Sequence, residues 1–144
     1  MKEKALNLLG LMRKANAIRI GEVETGTAVR EHEAKLVILA CDASQNAQKR
    51  AAGYMYASKA QLITVPFTKD EISSYVSKSG CSMAAICDIG FADAFIKLLY
   101  EMEPTKYNEA AQAIHRRAEE SKKRKKTDSD RQKNKRTGKR RTNA

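Results

Sequence analysis

The sequence has few of the side chains from which metal and redox sites are built. It contains two histidines, His32 and His115, and three cysteines, Cys41, Cys81 and Cys87, that form no Cys-x-x-Cys pair. Each cysteine lies in or beside an apolar run, where a thiol behaves as a small hydrophobic side chain. We therefore predict that the cysteines belong to the core and that the protein holds no metal ion and no other cofactor.

Long apolar runs are also missing. The N-terminal stretch MKEKALNLLGLMRKANAIRIGE carries charge from its second residue, and Arg13 and Lys14 interrupt its apolar part. A signal peptide or a membrane span needs a longer run without charges. We expect a cytoplasmic protein without a membrane partner.

A complete nucleotide-binding motif is absent as well. Residues 21–26 match G-x-x-x-x-G, but Thr27 and Ala28 stand where a phosphate loop has Lys and then Ser or Thr. The lysine that would reach the outer phosphates is missing, and the carboxylates of Glu22 and Glu24 would repel them. The sequence therefore predicts no nucleotide cradle at this turn.

No spacing singles out a pair of groups for acid–base catalysis. Asp42 and Asp88 each follow an apolar run and precede a helical pattern, so N-capping of a helix accounts for both carboxylates. Ser44 and Ser73 have no histidine nearby in the sequence. We predict that the protein is not an enzyme.

What the sequence does contain is a strong charge asymmetry. The net charge is +11, and residues 104–144 hold 15 Lys or Arg against 5 Asp or Glu, which leaves residues 1–103 nearly neutral. A cationic end on a neutral domain indicates a polyanionic partner. The predicted phosphate contacts lie in KKRKK and KRTGKRR: Lys122, Lys123, Arg124, Lys125, Lys126, Lys135, Arg136, Lys139, Arg140 and Arg141.

The order of patterns along the chain predicts the fold. The apolar runs AKLVILAC, QLITVP and SMAAIC are typical of buried strands, and helical patterns alternate with them. This alternation predicts a three-layer α/β/α sandwich with a central mixed sheet of about four strands in residues 1–103. Residues 104–126 predict a partly solvated helix with a thin apolar stripe, and the remainder is too polar to order in isolation.

Three stretches in order, LNLLGLMRKANAIRIGE, AKLVILACDAS and AAICDIGFADAFIKLL, resemble the bacterial stand-alone members of the L7Ae/L30e ribosomal-protein family. The resemblance covers roughly residues 5–100 and none of the basic tail. It implies a small α/β/α sandwich that binds kink-turn RNA, in which sheared G·A pairs present guanine edges to the N-terminus of the second helix. A loop before the last strand covers an extruded base.

By resemblance, the helix-start part of the RNA site falls on residues 21–27, and Glu24 is suited to accept from a guanine amino group. Thr25, Thr27 and backbone groups near Gly21 would supply donors. Asp42 matches an acidic position at a strand-to-helix junction, and the base-covering segment falls on residues 72–82. The residues predicted to contact RNA are Arg19, Gly21, Glu22, Val23, Glu24, Thr25, Thr27, Asp42, Lys78 and Gly80.

The sequence departs from the family pattern at several of these positions. Val23 stands where RNA-binding members often carry Asn, and Thr27 where they carry Lys. A Leu-Gly pair is replaced by Ile72-Ser73, and a later Gly by Ser77. These changes remove an amide, a cation and two flexible residues from the expected contact surface.

Three functions stay open at this point. The first is a non-catalytic RNA-binding protein associated with ribosomal or other structured RNA, in which the domain reads RNA shape and the tail contacts phosphates. The second is a ribosome-associated protein–protein adaptor that contacts ribosomal proteins and has lost the family's RNA specificity. The third is the recognition component of an RNA-modifying system. We expect a monomer in each case.

Overall fold

The computed structural model describes residues 2–77 and 81–142, and side chains up to residue 124 apart from that of residue 57. The elements follow one another as α1 (Lys2–Lys14), β1 (Ile18–Ile20), α2 (Glu22–Arg30), β2 (Leu36–Leu39), α3 (Gln45–Tyr54), a 3₁₀ turn (Met55–Ala57), β3 (Gln61–Thr64), α4 (Lys69–Val76), β4 (Met83–Ile86), α5 (Ile89–Met102) and α6 (Pro104–Thr142).

The four strands form one mixed sheet in the order β1-β4-β2-β3. β2 and β3 run parallel, and β4 is antiparallel to both of its neighbours, β1 and β2. One face of the sheet packs against α1, α4, α5 and the start of α6, and the other face packs against α2 and α3. The prediction of a three-layer sandwich with a mixed sheet of about four strands is confirmed.

β2 shows why an unbroken apolar run indicates a strand covered on both sides. Leu36 and Ile38 belong to the large core cluster on the α1 face, whereas Val37 and Leu39 pack in the smaller clusters beneath α2 and α3. All four side chains are buried. Successive strand side chains point to opposite faces, so each face needs its own apolar residue at alternate positions.

Short polar side chains begin three of the helices. The Ser44 hydroxyl accepts from the backbone N–H of Ala47 at 3.1 Å and caps α3. Thr68 and Glu71 form the predicted capping box of α4, and Asp88 caps α5 by accepting from the Phe91 N–H at 3.0 Å. Each cap satisfies an N–H group that has no partner within its own helix.

Burial of the cysteines is less uniform than the sequence predicts. Cys81 is buried and Cys87 half-buried, and burial raises the pKa of the Cys87 thiol. Cys41 is exposed, so the prediction of a core position is wrong for this residue. It follows β2, and its backbone N–H donates to the carbonyl oxygen of Phe67 at 2.9 Å, which leaves the side chain outside the sheet layers.

The first part of α6 is a core element. Tyr107, Ala110, Ile114 and Ala118 are buried, and the Tyr107 hydroxyl donates to the carbonyl oxygen of Thr64 at 2.6 Å. Burial, with a smaller effect of the Glu103 charge, raises the pKa of the Tyr107 phenol to about 12. The sequence predicts a solvated helix from residue 104, but here the thin apolar stripe is docked on the domain.

Beyond the docked part, the backbone of α6 stays helical to Thr142. This helix is longer than the partial one predicted from the sequence. The sequence predicts that this stretch does not order in isolation, because a segment with almost no apolar side chains cannot offset its ordering entropy. This stays a prediction.

Candidate RNA interface

The strand directions bring three segments to one edge of the sheet, which we call the α2 edge. It is formed by the C-terminal ends of β1, β2 and β3 and the N-terminal end of β4. The N–H of Gly21 donates to the carbonyl oxygen of Met83 at 3.0 Å, and that of Ala40 to Ser82 at 2.8 Å. The start of α2, the β2–α3 loop and the chain entering β4 therefore meet there.

Gly21 is the N-cap of α2 and has a backbone conformation that other residues rarely adopt. Its φ is 105° and its ψ 164°, a region occupied almost only by glycine. Among the described residues, no side chain hydrogen-bonds to the N–H groups of the first turn. A helix N-terminus carries positive partial charge and aims its N–H groups outward, which suits a phosphate or a base edge.

The first turn of α2 presents two side chains to solvent and holds one in place. Val23 is 75% exposed and Glu24 is also exposed, as the sequence leads us to expect for contact residues. Glu22 is instead paired with Arg50 of α3, and its carbonyl oxygen accepts from the Tyr54 hydroxyl at 3.3 Å. These two contacts fix the start of α2 against α3.

Gly26 belongs to the same packing. A Cβ atom at this position would lie 2.9 Å from the ring of Tyr54, so α2 and α3 approach each other too closely for any larger residue without movement of that ring. The G-x-x-x-x-G spacing thus has two separate structural causes: a special turn at Gly21 and a close helix contact at Gly26.

The two threonines predicted to donate to RNA are not available in that role. Thr25 is fully buried, and its Oγ1 has no hydrogen-bond partner among the described groups. The Thr27 hydroxyl donates to the carbonyl oxygen of Val23 at 3.0 Å and accepts from Arg30 at 3.4 Å. The helical period turns Thr25 inward, and Thr27 commits its proton to the preceding turn.

Arg19 also lies differently from the prediction. Its guanidinium donates to the carbonyl oxygens of Asn16 at 2.9 Å and Ile18 at 3.4 Å, both at or before the start of β1. Gly21 follows the other end of that strand, so the Arg19 side chain is directed away from the α2 edge.

The remaining predicted contact residues divide into two groups. Asp42 lies at the α2 edge, where its Oδ1 accepts from the backbone N–H of Lys69 at 2.8 Å and so caps α4 rather than α3. Lys78 and Gly80 lie outside the described residues. The chain on either side of them is joined by a hydrogen bond from the Cys81 N–H to the Ser73 hydroxyl at 3.1 Å.

The basic residues of α6 are not at the α2 edge. Tyr107 is anchored at Thr64, the C-terminal residue of β3, whereas Arg117 donates to the carbonyl oxygen of Lys59, before the start of that strand, at 3.1 Å. α6 therefore runs antiparallel to β3 and leaves the domain at the other end of the sheet. Of the ten predicted phosphate contacts, Lys122, Lys123 and Arg124 are exposed; the side chains of the other seven lie outside the described part.

Within residues 2–77 and 81–142, no three His, Cys, Asp or Glu side chains are grouped so that they could hold a metal ion. No helix in the described part of the chain is long and apolar enough to cross a membrane. Arg50 is a side chain near the start of α2 that sequence reasoning missed, because its contact with Glu22 depends on how α2 and α3 pack.

The chain is similar to proteins of a known family. Residues 3–96 match the model of the ribosomal protein L7Ae/L30e/S12e/Gadd45 family. The RNA-binding protein YlxQ of Enterococcus faecium is 34% identical over 95 residues, which are 63% of this chain and 86% of that protein. YlxQ of Bacillus subtilis (strain 168) is 33% identical over 96 residues, 64% of this chain and 91% of that protein.

Solved structures agree with the fold. A protein of unknown function from Bacillus halodurans superposes with a TM-score of 0.61 at 25% identity, over 66% of this chain and 95% of that one. The 15.5kD RNA binding protein of Giardia lamblia, at 20% identity and a TM-score of 0.52 over 76% and 85% of the two chains, shares the fold. The resemblance seen in the sequence is confirmed: this chain belongs to the ribosomal protein L7Ae/L30e/S12e/Gadd45 family.

Proposed function

We propose that the protein is a non-catalytic RNA-binding protein whose α2 edge reads the shape of a structured RNA. The observation that carries this proposal is the meeting of three segments at that edge around the start of α2. There the N-terminal N–H groups of α2 lack a side-chain cap among the described residues. The two YlxQ relatives are named as RNA-binding proteins, which supports the same role here.

The chemistry of the edge suits distorted RNA better than a regular duplex. Backbone N–H groups of the first turn can donate to a phosphate or to a base edge. The exposed Glu24 carboxylate can accept from a base amino group, whereas Glu22 is occupied by Arg50. A regular A-form helix hides its base edges in a deep groove, and bulges or non-canonical pairs expose them. A kink-turn in ribosomal RNA is the partner we propose.

The proposal also includes the location, the oligomeric state and the surfaces that contact RNA. The protein acts in the cytoplasm as a monomer, with residues 21–27 and the entrance to β4 on the RNA and the basic end of α6 on phosphates. Val23 is one of several exposed apolar side chains, which are common on protein surfaces. It gives little support to the adaptor function.

The experiment is a filter-binding titration of the full chain against two RNAs. One contains a kink-turn, and the other is identical except that Watson–Crick pairs replace its G·A pairs. We expect a preference of about 10-fold or more for the kink-turn, which corresponds to about 1.4 kcal/mol. Equal binding to both RNAs would show that the α2 edge has lost its selectivity, and no binding to either would favour the adaptor.

Two substitutions on α2 make the test specific to the edge. Glu24→Ala is expected to reduce the preference, whereas Glu31→Ala, which removes the same charge at the other end of α2, should leave it unchanged. Val23→Asn, which places an amide at an exposed position of the first turn, should raise it. Equal effects of Glu24→Ala and Glu31→Ala would mean that only overall charge matters.

A further inference from the structure

A cationic groove lies at the other end of the sheet, which we call the opposite edge. It has a volume of about 320 Å³, and its charged lining residues are Lys35, Lys59, Arg117, Arg124 and Glu120. Four cations thus face one carboxylate in a concave surface. The sequence does not indicate this cluster, because Lys35 and Lys59 are isolated lysines more than 50 residues before the arginines.

Strand pairing and the docking of α6 bring these side chains together. Lys35 and Lys59 precede the parallel strands β2 and β3, whose first residues, Leu36 and Gln61, are paired. The carbonyl oxygen of Lys35 accepts from the Gln61 N–H at 3.3 Å, and that of Lys59 accepts from Arg117. Arg117 uses one N–H in this contact and keeps further donors, since a guanidinium has five.

Acidic groups border the groove on two sides, and on the side of Lys35 these are Glu33 and Asp88, which line a neighbouring cleft with Cys87. The adjacent cleft between α5 and α6 is lined by Asp88, Asp93 and Lys122. Asp93 is paired with Lys97 and lies 3.2 Å from the Nδ1 atom of His115. The four cations of the groove still outnumber its one lining carboxylate, Glu120, and an anionic oxygen is the ligand that such a cluster recognises.

One feature indicates an extended polyanion rather than a small phosphate compound. The groove continues onto α6, whose sequence from Lys122 onward holds most of the basic residues of the tail and whose axis rises about 1.5 Å per residue.

We propose that the opposite edge is a second RNA surface, which binds the phosphate backbone without reading sequence, so that one protein molecule holds two RNA segments at once. This inference rests on the proposed function for the first segment. The two edges are separated by four-residue strands, or about 13 Å of sheet, and by the loops at both ends. A single short RNA helix bound at the α2 edge leaves the opposite edge open.

The test uses the full chain and two RNA probes. Biotinylated kink-turn RNA is immobilised, the protein is bound, and capture of a fluorescent regular RNA duplex of about 16 base pairs is measured. Lys35→Glu/Lys59→Glu is compared with Lys4→Glu/Lys49→Glu, which makes the same charge change at exposed positions of α1 and α3. A milder pair, Lys35→Gln/Lys59→Gln, serves if the reversal unfolds the protein.

We expect protein-dependent capture of the duplex by the wild type and the control. The groove variant should stay on the kink-turn RNA, but its capture of the duplex should fall about 10-fold or more. The slope of log affinity for the duplex against log salt concentration should become shallower by roughly 0.7–0.9 for each phosphate that the variant no longer neutralises.

Three results would overturn the inference. Equal capture by the groove variant and its control would show that the groove does not contact RNA. Protein retained on the kink-turn RNA without any duplex capture would show that the second surface does not exist. Displacement of the duplex by anionic lipid vesicles at equal phosphate concentration would assign the groove to a membrane surface. Absence of the protein from the immobilised RNA would instead be a failure of the proposed function.

Discussion

The two edges of the sheet differ in how they can recognise an anion. At the α2 edge the candidate donors are backbone groups held by the turn at Gly21, and two exposed side chains nearby, Glu24 and Asp42, are acidic. At the opposite edge the candidate donors are the cations of the groove. The carboxylates beside these fixed backbone donors repel phosphates, so that the donors favour a ligand whose shape matches the edge. A cluster of lysine and arginine side chains attracts any phosphate backbone.

α6 keeps these two modes of binding apart. Its docked part lies along β3 from Thr64 to Lys59, so the basic residues that follow are delivered to the end of the sheet away from Gly21. If α6 docked in the opposite direction, the basic residues that follow its docked part would lie beside Glu24. They would then compete with the start of α2 for the same RNA. The direction of one helix thus separates selectivity from charge-driven affinity.

The largest effect is expected from a substitution that breaks the α2 edge alone. Gly21→Val places a β-branched side chain at φ 105° and ψ 164°, which should lower the free energy of unfolding by about 1–3 kcal/mol and remove the kink-turn preference. Urea denaturation and the two-RNA titration measure these effects.

The salt dependence of duplex binding should survive this change, because the opposite edge is untouched. Gly53→Ala in α3 is the control, because the new methyl group would meet no atom within 4 Å beyond the backbone of its own helix, and alanine favours a helix. Unchanged stability of Gly21→Val would contradict the strain assigned to this turn.

A smaller effect is expected from loosening α6, which delivers charge to the opposite edge. Tyr107→Phe removes the hydrogen bond to Thr64 and should lower the free energy of unfolding by about 1 kcal/mol at neutral pH. Duplex affinity should fall with it, whereas the kink-turn preference should not. Tyr100→Phe, at an exposed position of α5, is the control.

The same variant tests the raised pKa of the Tyr107 phenol. The folded-state pKa of about 12 lies above the ordinary value of 10, so the folded state holds the proton more tightly than the unfolded state. The resulting stability is fully present below pH 10 and is lost as the pH rises toward 12. Unfolding measured from about pH 9 upward should show a loss in the wild type that Tyr107→Phe lacks, and parallel curves would contradict this.

The smallest effect is expected from a substitution of Glu71 in the first turn of α4, which changes neither the turn at Gly21 nor the cationic groove. The hydrogen bond from Lys2, and after it the Thr68 N–H, hold the pKa of the Glu71 carboxyl below its usual 4.5. This contribution to stability is present above pH 4.5 and is lost as the pH falls through the lowered pKa.

Glu71→Gln keeps a side chain that can complete the capping box but removes the titration. Acid unfolding should therefore be less steep in this variant than in the wild type, and RNA binding at neutral pH should be unchanged. Glu3→Gln, an exposed residue of α1, is the control. An equal change in both variants would show that Glu71 has no special role in acid stability.

Local signals were sufficient to predict the order and type of the elements. Apolar runs indicated the strands β2, β3 and β4. Ser44, Thr68 and Asp88 each precede a helix, and each caps it by accepting a hydrogen bond from a backbone N–H of the first turn. These features depend on neighbours in the sequence, because alternation sets which faces are buried and caps act within one turn. Asp42 was the exception, since its carboxylate binds a helix 27 residues further on.

The residues of the candidate site were harder to predict. Thr25 and Thr27 suited RNA by chemistry alone, but the rotation of α2 against the sheet buried the first, and the hydroxyl of the second donates to the Val23 carbonyl oxygen within the helix. Arg19 was directed along β1 by the carbonyl oxygens at its start. These outcomes depend on helix rotation and strand direction, which residue types alone do not reveal.

The sequence by itself determined the three-layer class, the turn at Gly21 and the presence of a large positive charge at one end of the chain. Only the tertiary structure decided where that charge lies. A contact between Tyr107 and Thr64, 43 residues apart, and one between Arg117 and Lys59, 58 residues apart, set the direction of α6. Local propensity favours a helix in this segment but does not fix its orientation on the domain. Burial of the apolar stripe of α6 against α5 and β3 selects one orientation.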